Sequence, residues 1–140
     1  MELRVLAVGK LRDAGLEACC GEYVKRSRTL MPIVRASVKT SAALWPRAAD
    51  GPVVVLDERG TQVDTPQLAR WLAQWRDAGR RHVSFLLGDA HGFSDEDRAR
   101  ADRVLALSRL TLPHRLAQVV LVEQLYRAAT ILAGHPYHHA

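Results

Sequence analysis

Val53-Val-Val-Leu56, and Val83-Ser-Phe-Leu-Leu87 closed by Gly88, are the stretches whose reading decides the fold. Neither alternates apolar with polar residues. A strand that is apolar throughout has both faces covered, which is the mark of a parallel sheet held between helices. The neighbouring segments supply those helices and the remaining strands. Residues 3–8 alternate and end at Gly9, a strand running into a loop. Leu16, Cys19, Cys20, Tyr23 and Val24 recur at helical spacing and predict a helix over 14–27. Residues 32–38 read as a second strand, whereas 39–52 carry small residues, Pro46 and Gly51 with little periodicity. After Asp57-Glu-Arg-Gly60, Thr65 is placed to cap a helix, Pro66 suits its first position and Gly79 its stop. Leu68, Trp71, Leu72 and Trp75 form its apolar stripe, with the tryptophans expected in the core or at a subunit interface. Ser94 with Asp97 resembles a capping box, and Asp95 and Glu96 favour a helix start. A short strand over 104–107, a loop through Pro113, and a helix over 114–133 closed by Gly134 and Pro136 complete the chain. The order β-α-β-β-α-β-α-β-α predicts a single α/β domain over residues 1–140 with a largely parallel sheet.

Composition agrees with an ordinary globular domain. The chain has 140 residues, 48% of them apolar and 25% charged. No uninterrupted apolar run reaches the roughly 18 residues that span a bilayer. The longest, over 116–125, is broken by Gln118, Glu123 and Gln124. Glu2 and the lack of a long apolar leader argue against a signal peptide, and the adjacent Cys19 and Cys20 offer no disulfide framework. A reducing cytoplasm is therefore expected, with no membrane partner. The formal net charge is +5, with most of the cationic excess arginine. The sequence pI is about 9.8. This favours a nucleic-acid partner, because guanidinium groups match phosphate and base edges. GC-rich coding would produce the same bias.

In open α/β sheets ligands gather beyond the carboxyl ends of the strands. Three such ends carry suggestive residues: Leu56-Asp57, the glycine-bracketed Gly88-Asp-Ala-His-Gly92, and Leu107-Ser-Arg-Leu-Thr-Leu-Pro-His114. Gly88 lacks a Cβ and so permits close approach of a ligand or a second backbone. Both glycines can equally serve turn dihedrals alone. The spacing is neither a dinucleotide fingerprint nor a P-loop. Glu123 and Arg127 stand four apart in the order favourable for a helix ion pair. The tail, Pro136-Tyr-His-His-Ala140, has little packing value of its own and is a candidate for chemistry. His135, His138 and His139 have no cysteine or carboxylate at ligand spacing, so no metal site is expected.

These residues together resemble the RlmH-type methyltransferases, small members of the SPOUT class. The resemblance runs over nearly the whole chain. It rests on the opening strand to Gly9, Val55-Leu-Asp57 with Gly60, Asp64-Thr-Pro-Gln-Leu68, the Gly88 loop, Leu107-Ser-x-Leu-Thr-Leu-Pro-His114, Val122-Glu-Gln-Leu-Tyr-Arg127 and His135-Pro-Tyr-His138. The resemblance implies a sheet whose C-terminal segment is threaded into a trefoil knot, and a cofactor, S-adenosylmethionine, held by the knot loops. By matching positions, that cofactor would lie against Leu56, Gly88, Gly92 and the loop of Leu107, Ser108, Arg109, Leu110, Thr111 and Leu112. It also implies a homodimer in which the tail of one subunit reaches the cofactor of the other. The implied substrate is a pseudouridine in the helix 69 loop of 23S rRNA on assembled ribosomes, methylated at N3.

Residue chemistry is compatible with those implied roles. Leu107, Leu110 and Leu112, with the peptide groups between them, suit an adenine slot. Methyl transfer from a sulfonium needs alignment and removal of the N3 proton. His138 is the candidate base or uracil-positioning group, and Tyr137 a candidate for stacking or hydrogen bonding. Arg127 and His139 are candidates for RNA contact. Two positions depart from the family pattern. Asp89 replaces a second glycine, where a carboxylate either repels the cofactor's carboxylate or pairs with its ammonium. His139 replaces Arg or Lys. Residues 39–52 are also shorter than the family's segment. A ribosome- or RNA-binding protein without turnover, and a knotted methyltransferase with another RNA target, are the alternatives.

Overall fold

A computed structural model describes all residues except Ala49, within the 39–52 segment, and Ala140, the last residue of the tail. Five strands form one sheet in the order β2-β1-β4-β3-β5, and every neighbouring pair is parallel. In chain order the strands are β1 (Glu2–Val8), β2 (Ile33–Val38), β3 (Val53–Gln62), β4 (His82–Leu87) and β5 (Arg103–Ala106). The helices are α1 (Ala14–Ser27), α2 (Leu44–Arg47), α3 (Thr65–Asp77), α4 (Asp95–Arg100) and α5 (His114–Ala133).

The apolar strands are covered on both faces, as their composition requires. Leu3, Val5, Ala7, Val54, Val83, Phe85 and Leu87 meet Leu68, Trp71 and Leu72 of α3, and Leu121, Val122, Leu125 and Ala129 of α5. The opposite face is smaller. There Leu6, Val53, Val55 and Leu86 pack with Leu44, Ala48 and Phe93. Leu44 is fully buried, so the weakly periodic 39–52 segment covers this face with a 3-10 turn and the four-residue α2. Trp71 is core and Trp75 packs against it. Cys20 is buried and Cys19 exposed, and both are free.

Helix ends follow local chemistry, with one correction. Ser94 and Asp97 form the full capping box. The cap of α3 is Asp64, not Thr65: Asp64 Oδ1 accepts the Gln67 N–H at 2.9 Å. Thr65 is the first helical residue, which moves Pro66 to the second position, and its hydroxyl donates to Gln124 Oε1 of α5 at 2.7 Å. Asp holds an N-cap better than Thr, which frees the threonine for this tertiary bond. Gly134 closes α5 in the left-handed region. By length and mean hydropathy α5 is the one described helix long and apolar enough to cross a membrane. Half of that stretch is buried in this fold, among α1, α3 and the sheet. Its apolar residues are spread around the helix, not gathered in one run.

The larger correction concerns β3. The sequence predicts a strand to Leu56 followed by a loop, but the strand continues to Gln62 with a register shift between Leu56 and Thr61. Leu56 and Thr61 both pair with Leu105, so the residues between them bulge from the sheet. Gly60 allows this, because a Cβ there would lie 2.7 Å from the Val104 carbonyl carbon and oxygen.

Candidate active site

Strand register brings three chain ends to one place. Leu56 pairs with Leu87 on one side and Leu105 on the other, so the bulge that leaves β3 at Asp57 lies level with the carboxyl ends of β4 and β5. A cavity of about 440 Å³ opens just beyond them, within the usual range for a small-molecule site. Its walls come from Leu56 and the Asp57–Arg59 bulge, the Gly88–Phe93 loop, Leu105, the loop after β5, and the first turn of α5 at His114 and Ala117. Leu56, Gly88, Gly92, Leu107, Ser108, Leu110, Thr111 and Leu112 all line it. Arg109 is exposed and does not. It is the middle residue of a tight turn made when Ser108 Oγ accepts the Leu110 N–H at 2.9 Å. Leu110 is 77% exposed, an apolar side chain left open beside the cavity.

The Gly88–Phe93 loop is rigidly built. Asp89 Oδ1 accepts the His91 N–H at 2.9 Å, and the Asp89 carbonyl accepts the Gly92 N–H at 3.0 Å. Asp89 Oδ2 lies 3.4 Å from Ser41 Oγ. Asp89 thus shapes its own loop as an Asx turn. Gly92 has φ +71°, a conformation that favours glycine. A Cβ on Gly88 would meet the Phe93 ring at 3.3 Å and the Gly92 carbonyl at 3.4 Å, so its bareness lets the loop close on itself. Arg98 of α4 ties this loop to β3: Nη1 donates to the Phe93 carbonyl at 2.5 Å and to Asp57 Oδ2 at 3.1 Å, while Nη2 bonds Asp95. Asp57 is nearly buried, and its other oxygen accepts the Arg59 N–H at 2.9 Å.

The tail folds against its own α5, and none of its described residues lines the cavity. Tyr137 donates its hydroxyl to Glu123 Oε1 at 3.1 Å and packs edge-on to Tyr126 at 4.8 Å. Arg127 bonds the same Glu123 oxygen, through Nη2 at 2.6 Å, and lies over the Tyr137 ring at 4.7 Å. Its Nη1 comes within 3.4 Å of His138 Nδ1. Glu123 and Arg127 are therefore more than a helix ion pair; they seat the tail. Burial, then a hydrogen bond with Tyr23 and the nearby Glu123 carboxylate, pushes Tyr137 up to about 12. Tyr137 accordingly stays a neutral donor near pH 7. His139 is exposed.

The model of the family described as "Predicted SPOUT methyltransferase" matches residues 1–138. The chain belongs to the SPOUT methyltransferase family. Among curated relatives it is 43% identical to the ribosomal RNA large subunit methyltransferase H of Geobacter metallireducens, over all of both chains. It is 46% identical to the protein of the same name from Thermus thermophilus, covering 99% of this chain and 98% of that one. Its fold is similar to a probable methylase family protein from Haemophilus influenzae, with TM-score 0.62 and 10% identity over 99% of this chain and 70% of that one. A putative methylase family protein from Neisseria gonorrhoeae gives TM-score 0.55 and 12% identity, covering 99% and 86%.

In this SPOUT methyltransferase the cavity includes residues that spacing alone did not single out. Sequence gives Phe93 no role and places Leu105 only within a short strand. Glu58 and Arg59 line the cavity only because β3 bulges around Gly60, and Arg98 reaches the site from a helix that sequence marks only by its cap.

Proposed function

We propose that this chain is an S-adenosylmethionine-dependent 23S rRNA methyltransferase that methylates N3 of a pseudouridine in the helix 69 loop on assembled ribosomes, in the cytoplasm. The observation that carries the reading is the cavity beside the β3 bulge and the carboxyl ends of β4 and β5, which gathers eight of the nine residues expected to hold the cofactor. Its chemistry suits that group. Leu56, Leu105, Leu107 and Leu112 give apolar walls for an adenine, and the 88–92 and 107–112 backbones give peptide donors and acceptors at the rim. When bound, the cofactor supplies an electrophilic methyl group on a sulfonium.

The chain's own residues supply position and proton transfer. The loop fixed by Asp89 and Arg98 presents its backbone without reorganisation, which is where most of the benefit of a preformed site lies. His138 accepts the N3 proton at Nδ1 once Arg127, which faces that nitrogen in the resting tail, turns from it toward phosphate. Tyr137, held neutral, aligns the tail and contacts the base. Because the tail is seated on its own α5 and away from its own cavity, it serves the cavity of a second copy, so the working unit is a homodimer. The trefoil threading belongs to the same reading, with the 107–112 loop returning the chain to the cavity before α5 begins. Arg127, His139 and the exposed arginines meet phosphate, and the folded ribosome supplies recognition by shape.

The test is methyl transfer from labelled S-adenosylmethionine to ribosomes lacking the modification, with naked rRNA alongside and the modified nucleotide mapped. Label at the helix 69 pseudouridine on ribosomes alone is expected. Label elsewhere would replace the substrate, and cofactor binding without any transfer would replace the activity.

A further inference from the structure

A second cavity, of about 420 Å³, opens at the carboxyl ends of β1 and β2. Gly9, Lys10 and Arg12 line it from the loop after β1, Arg35 and Ser37 from β2, and Gln118 from α5. It is the immediate neighbour of the first cavity. Ala7 pairs with Leu87, so Gly9 leaves β1 beside the point where Gly88 leaves β4. Ala117 lines one cavity, and Gln118, the next residue of α5, lines the other.

The electrostatics of this lining are unbalanced. Glu17 neutralises Arg35 through hydrogen bonds of 2.9 and 3.0 Å, and the Asp13 carboxylate accepts the Leu16 N–H as the cap of α1. Lys10 and Arg12 are exposed, and neither has an ion pair or hydrogen bond among the described residues. Arg12 holds φ +52°, uncommon for a side chain of its size. Deeper in, Arg35 Nε and Gln118 Oε1 are buried without hydrogen-bond partners, although Gln118 is only 4% exposed. One is a donor and the other an acceptor, so a small rotation of each would satisfy a group carrying both senses, such as a sugar hydroxyl or base edge.

We propose that this second cavity binds a nucleotide of the RNA strand flanking the one that is methylated, with its phosphate held by Lys10 and Arg12. The inference rests on the RNA methyltransferase reading and adds a subsite to it. A strand whose target base sits over the first cavity has its next nucleotide within reach of the second, because the two share one edge of the sheet. Two unpaired cations at that edge favour an anionic phosphodiester over an apolar or basic partner.

The test uses the full chain, the variants Lys10→Gln, Arg12→Gln and the double variant, and labelled ribosomes lacking the modification, titrated over a salt series. Cofactor affinity is measured by calorimetry in parallel. Each single variant is expected to flatten the dependence of log K on log salt by about 0.7–0.9, and the double variant by about twice that. RNA affinity of the double variant at low salt is expected to fall by about tenfold or more, with cofactor affinity within about twofold of wild type. An unchanged slope and affinity in the folded double variant overturns the subsite. Flattened slopes beside a wild type that transfers no methyl group keep the subsite and remove the proposed activity instead.

Discussion

Tyr137 and Glu123 show how single residues set the tail's chemistry. Glu123 receives both the Arg127 guanidinium and the Tyr137 hydroxyl. Glu123→Ala removes the acceptor and leaves a partly buried cation and a phenol without it. A loss of about 1–3 kcal/mol is expected in denaturant unfolding. Methyl transfer should fall while cofactor affinity, set by a cavity Glu123 does not line, stays near wild type. Arg127→Lys keeps the charge but loses the fork and the stacking plane, so it should restore little of the activity. The pH behaviour of Tyr137 follows from its raised pKa. Its folded value is about 12, above the ordinary phenol near 10, so the contribution is fully present below pH 10. From there to about 12 the unfolded chain has released the proton and the folded chain has not, and stability falls as pH rises. Absorbance titration should show a late tyrosine component near pH 12 that Tyr137→Phe removes.

At the scale of elements, the site depends on how β3 bulges and how α4 is tied to its neighbours. Gly60→Ala places a Cβ 2.7 Å from the Val104 backbone of β5, which no side-chain rotation relieves. It should cost about 1–3 kcal/mol and displace the Asp57–Arg59 wall, seen as a lowered melting temperature and weaker cofactor binding together. Arg98→Ala cuts the tie between the Phe93 carbonyl and Asp57 while leaving the cavity's lining residues in place. Cofactor affinity is expected to drop by about tenfold, and the thermal midpoint by several degrees because Asp57 is left nearly buried without its cation; an affinity unchanged by calorimetry would show that the loop holds its shape unaided. Both features depend on contacts that no local sequence pattern encodes. The strands were legible because uniformly apolar runs have one stable environment, a covered parallel sheet. The Gly88 and 107–114 segments were legible because they follow strand ends. The bulge was not, since it depends on a close backbone approach between residues 60 and 104. Nor was the role of Arg98, whose partners lie 5 and 41 positions away. The α3 cap is ambiguous in sequence because Asp64 and Thr65 are both good caps and only the tertiary bond to Gln124 separates them.

For the whole molecule, the separation of tail and cavity sets the decisive arrangement. All five strands, α1, α3 and α5 form one packed body in which Tyr137 and His138 are held on α5 by Glu123, Arg127 and Tyr126. The cavity lies at the sheet's carboxyl edge and takes none of the described tail residues from the same chain. If the tail acts on a second copy's cavity, each working site draws on two chains, and mixing can restore what two inactive variants lack. His138→Ala removes the proposed base and keeps the cavity. Leu112→Glu places a carboxylate in the cavity wall and keeps the tail. Each homodimer should be inactive. In a mixed dimer the intact tail of one chain meets the intact cavity of the other at one of the two sites. Random reassortment of equal amounts makes half the dimers mixed, so activity on ribosomes should recover to about a quarter of wild type. A tail acting on its own chain's cavity would leave every subunit of the mixture with one broken part. The recovered activity would then be zero, and the assignment of the tail to a partner's cavity would have to be abandoned even with the methyltransferase activity intact.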